Sequence, residues 1–167
     1  SKKYGDFYRV LNREMIASSL ERTLVTTIIP PGANHINTCL GTAFSSLTDL
    51  LDFYSMSLSI PVDFMVKSTG MGHANTSLIQ NLPCFINGTY KAEAHVRSLM
   101  LTCLTSSYSN LWSHVFQENF KNSKWAKIDP RLQNEQFTRL GNSWTVLIKY
   151  IRSLTILYPT ALRTPHR

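Results

Sequence analysis

Thr23-Leu24-Val25-Thr26-Thr27-Ile28-Ile29-Pro30-Pro31-Gly32 is the stretch from which the fold of this chain follows. Its β-branched run predicts a buried strand, and Pro-Pro-Gly cannot continue a ladder, so a tight turn is predicted to end it. Beyond the turn, residues 33 to 40 keep an extended composition. They also place Asn34, His35 and Asn37, which both donate and accept hydrogen bonds, among small apolar residues. A strand or loop edge facing a ligand is expected there.

Working outward, Leu47, Leu50, Leu51, Tyr54, Leu58, Val62, Met65 and Val66 recur at helical spacing. Pro61 is expected to kink or restart this helix near Ser59. Next comes a loop, Lys67-Ser68-Thr69-Gly70-Met71-Gly72-His73-Ala74-Asn75, with two glycines, a cation and a series of polar side chains. Asn75 or Thr76 then caps a short helix stopped by Pro83. Upstream, Phe7, Arg9 and Leu11 alternate with Tyr8, Val10 and Asn12, as in a strand that presents a cation on one face. Cys84-Phe85-Ile86 is long enough only for an edge strand before the Asn87-Gly88 turn.

From residue 91 to 120, Val96, Leu99, Met100, Cys103, Leu104, Leu111, Trp112, Val115 and Phe116 mark a long helix, bent or divided at Thr105-Ser106-Ser107. Its aromatic stripe is expected to be core. Asp129-Pro130 signals a turn, and Trp144, Leu147, Ile148, Ile151, Leu154 and Leu157 define a last amphipathic helix before Pro159. The fold class expected is α+β: one mixed domain with a small sheet, packed helices and a helical C-terminal part. The division expected is a core over residues 1–90 and a helical extension over 91–167, in a piece of a longer protein.

At 167 residues, 43% hydrophobic and 16% charged, the chain has the composition of a folded domain rather than a disordered one. Seventeen Lys and Arg against ten Asp and Glu give net +7, the sign that suits a polyanionic partner. Three cysteines without paired spacing argue against a disulfide framework and a zinc site, so a cytoplasmic setting is expected. No secretory signal and no apolar run of about eighteen residues is present. The five histidines fall in no metal-ligand spacing, and phosphate-loop and dinucleotide fingerprints are lacking. Asp63 and Lys67, four residues apart, lack the second carboxylate of a nuclease motif, since Val66 stands there, and read as a helix-surface pair. No catalytic residue, metal or cofactor is therefore expected in this fragment.

A family resemblance adds the word DNA. Tyr8-Arg9, Arg13, Glu21-Arg22-Thr23-Leu24, Ile28-Ile29-Pro30-Pro31-Gly32-Ala33, His35, Leu50-Leu51, Asp63-Phe64, Lys67, Gly72-His73-Ala74-Asn75 and Leu82-Pro83 together resemble the C-terminal target-recognition region of large adenine-specific DNA methyltransferases. These belong to the type IIG restriction-modification and phage-defence group, with a specificity part called TaqI-like. Leu101-Thr102-Cys103-Leu104-Thr105, Tyr108, Leu111-Trp112, the run from Trp125 to Leu132 and Leu162-Arg163-Thr164 are similar to the next region of that group. The family's Asn-Pro-Pro-Tyr-type motif and Gly-rich cofactor loop are not in this chain.

The resemblance implies a module that selects double-stranded DNA for a methyltransferase domain of the same parent chain. That parent would use S-adenosylmethionine, with or without an endonuclease beside it. Base reading needs two-pronged hydrogen bonding and backbone contact needs cations. Arg22, His35, Asn37, Lys67, Ser68, Thr69, His73 and Asn75 are the candidates for base or backbone contacts, and Arg9 and Arg13 for phosphates. The alternative is a structural or protein-interaction domain, recognisable by a large exposed apolar face on Leu99-Met100-Cys103-Leu104 or Trp144-Leu147-Ile148.

Overall fold

The computed structural model describes residues 3–84, 88–127 and 136–157. Its class is α+β: a three-stranded antiparallel sheet, packed helices and a helical C-terminal part. The central strand is β1 (Arg9–Arg13), flanked by β2 (Thr26–Ile29) and β3 (Cys39–Ala43). Pro30-Pro31-Gly32-Ala33 makes the turn after β2, with Ala33 N–H donating to the Pro30 carbonyl at 3.3 Å and Gly32 at φ 80°. Glycine at the third position of such a turn meets the left-handed backbone without a Cβ clash.

β2 is shorter than the β-branched run that contains it. Thr23 and Leu24 leave the ladder because their N–H groups go to the Asp63 carboxylate, at 2.9 and 2.7 Å. Ala33 to Thr38 also stays out of the sheet, and β3 begins only at Cys39.

Alternation along β1 sets two faces. Val10 and Asn12, opposite Ile28 and Thr26, turn toward helix α1 (Leu47–Ser57) and are fully buried. Arg9, Leu11 and Arg13 lie on the other face. Helix α1 starts at Ser46, whose hydroxyl accepts from Asp49 N–H at 3.0 Å. Helix α2 (Ile60–Ser68) restarts at Ser59 with Pro61 in its first turn, where the missing N–H costs nothing. Helix α3 (Thr76–Gln80) is capped by Asn75, which accepts from Leu78 N–H at 2.9 Å.

The predicted long C-terminal helix is divided as its Thr-Ser-Ser patch suggests. Helix α4 (Lys91–Thr102) gives way to a 3-10 turn (Ser106–Tyr108) and helix α5 (Ser109–Val115). Helix α6 (Trp144–Leu157) is the last element described. The Cys84-Phe85-Ile86 edge strand lies partly, and the Asp129-Pro130 turn wholly, outside the described residues.

Backbone contacts group the chain into two compact units, residues 1–98 and 99–167, dividing within α4. In the first, Val10, Ile28, Leu50, Leu51, Val62, Val66 and Val96 form the core. In the second, Trp112, Phe120, Phe137 and Leu147 are buried, so the aromatic stripe is core. Two of this unit's three indoles donate to backbone carbonyls: Trp112 to Gly141 O at 2.9 Å and Trp144 to Cys103 O at 2.8 Å.

The cysteines probe this packing. Burial pushes the Cys103 thiol up to about 12, whereas Cys84 is exposed. A thiol reagent is expected to label native protein at Cys84 and to reach Cys103 only on unfolding. Equal labelling rates in native buffer, read by mass spectrometry, would contradict a closed core in the second unit.

Candidate nucleic-acid interface

Where β1 ends, the backbone of one residue joins the two polar loops. Glu14 N–H donates to Thr38 O at 2.9 Å, and Glu14 O accepts from Ala74 N–H at 2.7 Å. Next along the chain, Ile16 N–H donates to Gly72 O at 3.0 Å, and Met15 forms an isolated antiparallel bridge with His73. Residues 34–38 and 70–75 are thus fixed to one short segment, although each is a loop. Gly70, at φ 66°, is the left-handed residue that closes α2 and turns the chain toward this segment. Asn37 in the first loop and His73 in the second are exposed and make no side-chain hydrogen bond among the described residues, so their polar groups face water.

The other candidate residues divide by what their side chains touch. Arg22 Nη2 donates to Leu58 O at 2.9 Å, and its Nε lies 3.7 Å from Asp63. Lys67 Nζ donates to Leu20 O at 2.8 Å. The hydroxyls of Ser68 and Thr69 return to helix carbonyls, those of Met65 and Val66, and Asn75 caps α3. These five fasten the chain to itself.

Asp63 is likewise no surface partner of Lys67. It is buried, because its carboxylate holds the Thr23 and Leu24 amides. That correction follows from contacts about forty residues apart, beyond what helix spacing reports.

Arg9 is also corrected in placement. Its residue is only 1% exposed, its Nη2 donates to Ala33 O, and its guanidinium carbon lies 4.7 Å from the Tyr4 ring centroid. It is built into the outer sheet face and is not presented to a duplex. His35 is half-buried over Gly41, and Arg13 projects from the same face as Arg9.

Titratable groups also meet between α1 and α4. Asp52 accepts from Lys91 Nζ at 2.6 Å, and its other oxygen lies 2.8 Å from His95 Nε2. Burial is the largest influence on His95 and lowers its pKa, against the hydrogen bond and charge of Asp52, while Lys91 lowers it further. The imidazole is therefore the neutral donor and Lys91 the counter-charge. At 2% exposure His95 meets no substrate, and the network joins helices. Forty-three residues separate Asp52 from His95, so no local motif announced the pair.

Among the described residues no cluster of three metal-ligating side chains occurs, and no helix is long and apolar enough to cross a membrane. No family model, curated protein or solved structure matches the chain.

The basic charge is unevenly spread. Residues 1–98 carry eight Lys and Arg against seven Asp and Glu, net +1, and residues 99–167 carry nine against three, net +6.

Proposed function

We propose that this chain is the DNA sequence-recognition domain of a type IIG-like adenine-specific DNA methyltransferase. It binds double-stranded DNA and directs catalytic domains elsewhere in a cytoplasmic parent protein, where S-adenosylmethionine is bound. The family resemblance supplies the DNA and the methyltransferase. The observation that carries the choice of surface is the joining of loops 34–38 and 70–75 through Glu14 and its neighbours. Held on a strand end, exposed Asn37 and His73 form a pre-organised pair of polar readers, as base recognition requires. The net +6 of residues 99–167 supports a salt-dependent contribution from phosphates.

One observation favours an interaction domain instead. Ile60 and Phe64, one turn apart on α2, are 76% and 67% exposed. Of the faces first expected to mark such a domain, Leu99, Cys103 and Leu147 are at 0% exposure, whereas Leu104 is 51% exposed.

The test is a salt titration of binding to short duplexes, comparing wild type with an Asn37→Ala, His73→Ala double variant. Affinity is expected to fall steeply with salt. The variant is expected to lose about 1–3 kcal/mol of discrimination between preferred and altered sites, roughly 5- to 150-fold. Unchanged sequence preference in the variant would remove the two loops from the interface. Absence of binding by either protein at low salt would favour the interaction domain.

A further inference from the structure

Among the described residues, the outer face of the sheet carries two arginines that no acid pairs. Arg9 and Arg13 flank Leu11 on β1, and neither forms an ion pair there. Arg9 is partly compensated by the Ala33 carbonyl and the Tyr4 ring. Arg13 has no such compensation: its Nε and Nη2 are both buried and both lack a hydrogen-bond partner among the described residues. These two atoms form the side-on edge of the guanidinium, the fork that takes two oxygens of one anion. Donor N–H groups covered from water without an acceptor are unfavourable, so this edge suits an anion that its described neighbours do not provide.

The surroundings indicate which kind. Gly41 lies opposite Leu11, one step along the same face from the Arg13–Cys39 pair. A Cβ on Gly41 would collide with the Tyr4 hydroxyl and meet His35 Nε2 at 2.7 Å. The glycine thus lets a phenol and an imidazole come down onto the sheet beside the arginines. Tyr4 is 47% exposed and Arg13 half-buried, so the cluster belongs to the surface. Asn12 and Thr26 also have unpartnered buried atoms, but they are neutral and on the opposite face.

We infer that the Arg13 fork, with Tyr4 and His35, is a binding site for a phosphoryl oxyanion. A fork from one side and two further polar groups from another suit a tetrahedral anion with more than two oxygens. The site does not depend on the DNA reading, because free phosphate alone would fill it.

The experiment titrates the 167-residue chain with inorganic phosphate while following arginine Nε–H resonances by NMR, with sodium chloride at matched ionic strength as control. One resonance, lost in Arg13→Gln, is expected to shift saturably with phosphate and to stay put with chloride. Tyr4→Phe, which keeps the ring over Arg9, is expected to weaken binding several-fold, and it serves as the deciding variant should Arg13→Gln fail to fold. No phosphate-specific shift, or an affinity unchanged in Tyr4→Phe, overturns the inference. A parallel titration with duplex DNA separates the sources. A shift with phosphate alone assigns the site to free phosphate or a phosphomonoester, and the same shift with duplex assigns it to the DNA backbone.

Discussion

Asp63→Ala is expected to destabilise the protein by about 3–5 kcal/mol, the range for breaking a buried charged network by removing one partner. One carboxylate oxygen holds both the Thr23 and Leu24 amides, and Arg22 stands 3.7 Å away. The truncation leaves two buried N–H groups unpaired and frees the segment that leads into β2. Asp63→Asn keeps an acceptor and is expected to cost less. Urea denaturation of the three proteins measures the difference, and a loss below about 1 kcal/mol for alanine would show that the clamp is not a support of the fold. The same geometry bears on a nuclease reading, since an oxygen occupied by two amides is poorly placed to hold a metal.

The second large effect is expected at Asp52. Asp52→Ala removes the acceptor shared by Lys91 and His95 and is expected to cost a similar loss of about 3–5 kcal/mol. A pH effect accompanies it. His95 has its pKa lowered in the folded state, chiefly by burial, so the unfolded chain binds the proton more readily. The contribution of the neutral imidazole is therefore complete above the unfolded value of about 6.5 and is lost as pH falls through it toward the folded value. Melting temperature between pH 8 and pH 5 is expected to fall less in His95→Gln than in wild type. Parallel profiles would show that another group carries the acid sensitivity.

Neither effect is announced by local sequence pattern. Asp63 and Lys67 have helix-surface spacing, yet each reaches a residue near position 20 that the spacing does not encode. Of the ten candidate contact residues, Asn37 and His73 are exposed on loops tied to one strand end, while His35 and Arg13 lie on the outer sheet face. Arg9 is buried, and the remaining five hold the chain together. Arg, Lys, Ser, Thr and Asn serve a ligand or their own backbone with the same donors and acceptors, so residue type alone does not separate the uses. Tyr4 and Gly41 carried no motif at all; their meaning lies in a cross-strand register.

What the sequence determined by itself was local. Pro30-Pro31-Gly32 ends a strand because proline withholds a donor and glycine accepts φ 80°. Ser46, Ser59 and Asn75 start helices by accepting amides three residues on, and Pro61 restarts a helix after a break. Each follows from steric and hydrogen-bonding limits within a few residues. The tertiary structure alone decided which polar groups were used up inside, that Glu14 holds two distant loops, and that the Arg13 fork was left without a counter-charge. Those outcomes depend on packing segments far apart in the chain, where burial rather than spacing selects the partner of each donor.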